Sequence, residues 1–158
     1  MSLFDTTYFE ESLVRDGVGG CCHDFALALH RRTGWPLVVV WKQPVIDAFT
    51  ICHKPSLLHV ALRAPDGRAV DIEGAHDVDA MVASYAAASR CEATWDAYPD
   101  VDAYVAALDG AAFGDMMLPR ERGIEAAERV IAAAPRFLAL VAELSAEATA
   151  EPAARARA

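Results

Sequence analysis

The sequence predicts an α+β protein built as one domain. Strand-type segments are grouped between residues 37 and 72, with helical periodicity before and after them. Such grouping, as opposed to strict alternation, is typical of α+β folds. The chain has 158 residues, of which 54% are hydrophobic, which suits one folded core. We expect a single domain over 1–148, with a core at 17–76, a helical half at 77–148, and a flexible tail at 149–158.

Two helices are predicted at the start of the chain. Residues 8–14 favour a short helix, which the following glycines would end. A second helix is predicted from about Cys22 to Arg32, because apolar side chains recur there at the three–four spacing of one helical face. Gly34 stands where a left-handed helix cap is expected.

Three strands are predicted next. Leu37–Trp41 is a continuous apolar run rich in valine, typical of a strand buried on both faces. Residues 42–56 look irregular. Leu57–Arg63 and Ala69–Ile72 read as a hairpin, because the turn pair Asp66-Gly67 lies between them.

The remainder is predicted to be helical. Asp77 or Asp79 caps a helix that runs to about Ser89. Aromatic and aliphatic residues between 95 and 108 indicate another helical region, interrupted near Pro99. Residues 124–144 carry a long apolar face that Pro135 must kink or split, because proline lacks an amide donor.

Composition narrows the function classes. The net charge is −9, so binding to nucleic acid is not expected without a local basic patch, and the pair Arg31-Arg32 is not a patch. No run approaches the roughly 18 apolar residues of a membrane span. Residues 1–5 lack the features of a secretory signal, so we expect a cytoplasmic protein with no membrane partner. The four cysteines are then expected as thiols.

The start of the second helix is the strongest candidate for chemistry. Cys22 would stand where the helix presents unpaired amides and partial positive charge, which favour the thiolate. Gly19 and Gly20 would let a substrate approach the backbone. Taken alone, Cys21 and Cys22 are more simply explained as small core side chains.

An imidazole and a carboxylate occur in suitable places downstream. His59 begins the apolar part of a strand, where it could exchange a proton with a thiol. The hairpin turn would bring Asp71 level with His59, so that its carboxylate could orient the ring. Each is also compatible with a purely structural role, and Glu73 is the reserve for the carboxylate.

The chain contains no asparagine, and Gln43 is its single glutamine. A Cys-His-Asn triad is therefore impossible. A side-chain amide in an oxyanion hole could come from Gln43 alone; otherwise backbone amides near Cys22 must serve. Zinc ligation by Cys21-Cys22-His23 with Cys52-His53 fits poorly, because structural zinc sites space their ligand pairs by two to four residues. We expect no metal and no cofactor, and we treat His76 and Cys91 as structural or exposed.

The pattern Gly-x-Cys-His-x-Phe-Ala at 20–26, then His59-Val60, then Asp66-Gly67 with Asp71-x-x-Gly74, resembles small bacterial and phage proteins. Their layout is similar to the papain-like superfamily in its transglutaminase-like form. The resemblance covers about residues 17–76 and implies a helix that carries the nucleophile, packed on a small antiparallel sheet.

By this resemblance the nucleophile is Cys22, the base is His59 and the orienting acid is Asp71. The implied reaction is acyl transfer on an amide, as in a peptidase, deamidase or transglutaminase, with a protein, a peptide or a small amide as substrate. The alternative is a binding or accessory protein that retains the fold without catalysis. Trp35 and Trp41 could line a pocket, although core packing is the expected role.

Overall fold

The computed structural model describes residues 7–14, 21–44 and 53–155, with side chains through residue 146. The architecture is α+β, as predicted: a five-stranded antiparallel sheet carries helices on both faces. The strands lie in the order β4-β3-β2-β1-β5.

The regular elements follow one another in this order: α1 (Cys22–Thr33), β1 (Leu37–Lys42), β2 (Ser56–Arg63), β3 (Ala69–Asp71), β4 (Gly74–His76), α2 (Val78–Ser89), β5 (Ala93–Tyr98), α3 (Val101–Asp109), a 3-10 turn (Gly114–Met117), α4 (Glu121–Ala132) and α5 (Pro135–Arg155).

Several local predictions are confirmed. Gly34 ends α1 with a φ of 70°, the left-handed conformation that glycine adopts without a steric penalty. Residues 37–41 of β1 are all buried, as expected for a strand covered on both faces. The carboxylate of Asp77 accepts a hydrogen bond from the amide of Ala80 and so caps α2. Pro135 begins α5 after α4 has ended, so the long apolar segment is split there.

The helix predicted across 95–108 is wrong in its first part. Residues 93–98 form β5, an edge strand that pairs with β1 through six residue pairs, from Leu37↔Tyr98 to Lys42↔Ala93. Half-buried and exposed residues alternate along most of this strand, so it lacks a strong apolar signature. The helix α3 begins only at Val101, where the side chain of Asp100 caps it.

The sheet separates two layers of apolar side chains. Alternate residues of β1 serve each layer, because successive side chains of a strand point to opposite faces. Leu37, Val39 and Trp41 join the larger core beneath α1, while Val38 and Val40 pack with α2 on the other face.

A bulge in β2 sets the orientation of His59. Val40 pairs with His59 and Trp41 pairs with Leu57, which leaves Leu58 as an extra residue. Paired residues share a face of an antiparallel sheet. His59 therefore stands on the α2 face with Val40, whereas Leu57 packs in the core beneath α1 with Trp41.

The C-terminal helices complete the larger core. Helix α4 packs against α1, and Arg31 forms a bidentate ion pair with Glu121 at 2.7 and 2.8 Å. Phe137 of α5 lies in an aromatic cluster with Phe9 and Phe25. Helix α5 continues to Arg155, through most of the segment expected as a tail. In the described part of the chain, no helix has the length and apolar character needed to cross a bilayer.

Candidate functional site

Cys22 is the first residue of α1, as the sequence predicts. Its side chain is 6% exposed and packs in the core with Phe25 and Leu29, on the face of the helix that meets the sheet. The neighbouring Cys21 is exposed instead, because adjacent residues of a helix point in different directions. Gly19 and Gly20 lie outside the described residues.

His59 and Asp71 meet across the hairpin. The Nε2–H of His59 donates to Oδ2 of Asp71 over 2.8 Å, and both side chains are buried, at 0% and 3% exposure. The hairpin brings them together because Leu62 pairs with Val70, which places Asp71 one residue beyond the last pair between β2 and β3.

The thiol reaches His59 at the point where these two strands separate. Cys22 forms a hydrogen bond with the imidazole of His59 and accepts another from the backbone amide of Val60. The described β2–β3 pairs are limited to Leu62↔Val70 and Arg63↔Ala69, so β2 carries His59 and Val60 past the end of that ladder. The imidazole of His59 thus contacts both of the other predicted residues, Cys22 and Asp71.

This environment changes the ionisation of both groups. Burial alone would raise the pKa of Cys22, but hydrogen bonds with His23 and His59, the charge of His59 and the Val60 amide lower this pKa to about 6. Burial would lower the pKa of His59, but Asp71 and Cys22 raise it to about 9. A thiolate beside an imidazolium is therefore the favoured state between about pH 6 and 9.

The carboxylate of Asp71 has a second imidazole partner, which sequence reasoning missed. Nε2 of His76 lies 3.0 Å from Oδ1 of Asp71, and the amide of Glu73 donates to the same oxygen over 2.8 Å. Burial opposes the charge on Asp71, but the hydrogen bonds with His59 and His76 hold its pKa below the usual range. In turn Asp71 raises the pKa of His76. The chain turns at Ile72-Glu73, so that Gly74 pairs with Asp71 and β4 brings His76 back beside Asp71; the signal in the sequence was Gly74, which has a φ of 124°.

His23 is a further residue that the sequence pattern did not assign to the site. Its imidazole hydrogen bonds with the thiol of Cys22, which raises the pKa of His23, and its Nε2 lies 3.4 Å from Asp24. The other ring nitrogen, Nδ1, is buried without a hydrogen-bond partner among the described residues. The sulfur therefore has an imidazole from its own helix as well as one from the sheet.

Tyr85 of α2 covers the imidazole of His59. The two rings are stacked, with centroids 4.4 Å apart and planes inclined by 17°. The hydroxyl of Tyr85 lies 3.0 Å from Nδ1 of His59. Burial raises the pKa of this phenol, as do the charges of Asp71 and Cys22, so it stays protonated.

The other candidates lie elsewhere or take other roles. Gln43 donates a hydrogen bond to Thr94 at the β1–β5 edge, away from Cys22, so it supplies no oxyanion donor there. Trp35 and Trp41 are buried in the larger core, as expected. Within the described ranges, no group of three or more His, Cys, Asp or Glu side chains is placed to hold a metal ion. Cys52, part of the alternative zinc hypothesis, lies outside those ranges.

Comparison with known proteins adds no further assignment: no family model, no curated protein and no solved structure matches this chain.

Proposed function

We propose that this protein is a cysteine-dependent acyl-transfer enzyme with a papain-like, transglutaminase-like core. Cys22 is the nucleophile, His59 the base and Asp71 the residue that orients the base. One observation carries the proposal: a single buried imidazole bonds the thiol of Cys22 and the carboxylate of Asp71, over 2.8 Å in the latter case. That arrangement matches the roles of a catalytic triad.

The first step moves a proton within the site. The thiol of Cys22 gives its proton to His59, and because Nε2 bonds Asp71, we assign the proton to Nδ1, which has the hydroxyl of Tyr85 as a neighbour at 3.0 Å. Asp71 stabilises the resulting imidazolium by accepting from Nε2–H. The thiolate then attacks the carbonyl carbon of an amide, and the carbonyl electrons move onto oxygen.

The second step releases the amine. The tetrahedral intermediate collapses to a thioester on Cys22, and the proton held at Nδ1 of His59 goes to the departing nitrogen. Water or a second amine then attacks the thioester and returns the thiol. Water gives hydrolysis or deamidation, and an amine gives transamidation. We expect a protein, a peptide or a small amide as substrate.

Backbone amides are the candidates for stabilising the oxyanion. The amide of Val60 already faces the sulfur of Cys22, and the N-terminus of α1 presents further amides beside the same residue. Donors fixed in advance near the reacting carbon are worth several kcal/mol of barrier, typically about 3 for one donor. Gln43 is not required in this arrangement.

The test is the pH dependence of alkylation at Cys22. The protein is treated with iodoacetamide between pH 5.5 and 9.5, and the rate at each cysteine is read by peptide mass spectrometry. The alkylation rate at Cys22 should reach half its maximum near pH 6. After unfolding in urea, the same cysteine should do so near the ordinary value of about 8.5. The pH of the half-maximum is the readout, because the absolute rate also depends on access to a buried thiol.

Two variants complete the experiment. His59→Ala should move the half-maximum for Cys22 toward that of an ordinary thiol. His30→Ala is the matched control, because His30 bonds the carbonyl of Trp35 at the other end of α1 and should leave Cys22 unchanged. A half-maximum near pH 8.5 in the folded wild-type protein would rule the proposal out.

The second candidate is a binding or accessory protein that retains the fold without catalysis. The observation that favours it is the burial of the reacting groups, since Cys22 is 6% exposed and His59 is fully buried. Under this hypothesis Cys22 is a core side chain, and alkylation would be slow and ordinary in its pH dependence. The same alkylation profile therefore separates the two functions.

A further inference from the structure

The stacked pair of Tyr85 and His59 has a geometry that goes beyond simple packing. Because the ring planes are inclined by only 17°, the hydroxyl of Tyr85 approaches Nδ1 from the face of the imidazole. The in-plane direction of Nδ1 is where a proton is gained or donated. The stacked phenol therefore limits the rotation of the imidazole.

The electron-rich face of the tyrosine ring also acts on the charge of His59. A cation over an aromatic face is stabilised, and more strongly where water is excluded. The charged and titratable groups around His59 are Cys22 from α1, Asp71 from β3, His76 from β4, and Tyr85 itself from α2. Of these, Tyr85 is the group that contacts the face of the ring.

Tyr85 stacks on His59 and also lines an open cavity. A cavity of about 300 Å³ is lined by Asp71, His76 and Tyr85 among others, whereas His59 is not part of its wall and is fully buried. Truncating Tyr85 to a small residue would therefore remove the aromatic face over His59 and also open the cavity wall to water. Replacing it by an aliphatic side chain of similar reach removes the aromatic face but keeps the wall.

We propose that Tyr85 is a positioning residue: its ring holds the imidazole of His59 with Nδ1 directed toward Cys22 and stabilises the imidazolium of the reactive pair. This inference rests on the proposed function, because it assigns a role within the same thiolate–imidazolium site. Tyr85 acts through His59 and needs no contact with substrate.

The experiment compares Tyr85→Phe, Tyr85→Leu and Tyr85→Met with the wild-type chain. The titration of His59 is followed in ¹⁵N-labelled protein by histidine ring NMR, and the alkylation of Cys22 is followed with iodoacetamide over the same pH range. Tyr85→Leu and Tyr85→Met should weaken proton binding at His59 by about threefold to tenfold, and Tyr85→Phe by about twofold at most, because it keeps the aromatic face. Tyr98→Leu, on the opposite edge strand, is the control and should change neither readout.

The outcomes separate this inference from the function on which it rests. Equal effects of the phenylalanine and leucine variants, or no effect of either aliphatic variant, would overturn the role of Tyr85 while leaving the thiolate of Cys22 in place. An ordinary titration of both Cys22 and His59 in the wild-type protein would remove the proposed function itself. Two aliphatic variants are used so that a folding defect in one does not prevent the test.

Discussion

Asp71→Asn should destabilise the fold strongly at neutral pH. The carboxylate of Asp71 is 3% exposed and receives two charge-assisted hydrogen bonds, from His59 at 2.8 Å and from His76 at 3.0 Å. Asparagine has nearly the same shape, and its carbonyl can still accept from the amide of Glu73. Its NH₂ group, however, must face one of the two imidazole donors, and the negative charge is gone.

The magnitude follows from those contacts. Breaking a buried pair of this kind costs about 3–5 kcal/mol, because hydrogen bonds to charged groups contribute about 1.5–3 kcal/mol each and a donor is left unpaired. We take about 3 kcal/mol for Asp71→Asn, since the amide retains part of the network. For a small domain this corresponds to a fall of about 1–2 M in the urea midpoint.

The direction in which pH changes the stability follows from the lowered pKa of Asp71. The folded protein holds the pKa of Asp71 below its usual value of 3.8. The charge of Asp71 therefore contributes stability that is fully present above about pH 4 and is lost as the pH falls further. The difference in unfolding free energy between the wild-type and Asp71→Asn proteins should be largest between about pH 5 and 6 and should shrink toward pH 3 as Asp71 is protonated. It should also fall above pH 6.5, the ordinary histidine pKa, as the charges of His59 and His76 are lost.

Urea unfolding at several pH values, followed by circular dichroism, provides the measurement. Asp66→Asn is the matched control, because Asp66 lies in the same hairpin but is exposed at the turn with Arg68, where a lost ion pair costs at most about 1 kcal/mol. A loss below about 1 kcal/mol for Asp71→Asn, or a loss that does not diminish toward pH 3, would refute the reasoning about the buried network.

Three other predictions concern single contacts, and urea unfolding measures each of them. His76→Ala should cost about 1–2 kcal/mol below pH 6.5, and the cost should fade as the pH rises through the elevated pKa of His76, where its charge on Asp71 is lost; a cost independent of pH would contradict this. Gly114→Ala should cost at least about 2 kcal/mol, because the new methyl group would overlap the carbonyl of Leu108; an unchanged midpoint would be the contrary result. Phe113→Gly should raise stability by up to about 1 kcal/mol, since Phe113 is 75% exposed and has a φ of 58°; a clear loss would show that its ring packs usefully.

Much of the sheet could be predicted from the sequence because its signals are local. The valine run of β1 is buried on both faces, and the turn at Asp66-Gly67 fixes the pairing of the hairpin. The meeting of His59 and Asp71 follows from that register, and the placement of Cys22 follows from the helix start. The edge strand β5 escaped prediction because its side chains alternate between partial burial and exposure, and because Trp95, Tyr98 and Val101 happen to recur at a helical spacing.

The outer parts of the site could not be predicted for a different reason. Tyr85 reaches His59 because α2 docks on a particular face of the sheet, and no local pattern of α2 encodes that choice. The bulge at Leu58 decides that His59 faces Tyr85, and it depends on pairing with β1. His23 was visible in the sequence, but its contact with Cys22 depends on the packing around the helix start.

The site draws its parts from both sides of the sheet. Cys22 arrives with α1 and its core, whereas Asp71 and Tyr85 belong to the hairpin and to the layer beneath α2. Under the proposed function, detachment of either layer would separate the sulfur from its proton acceptor and make it a poorer nucleophile. The reactivity of Cys22 would therefore report whether the helices on both faces of the sheet are packed in place.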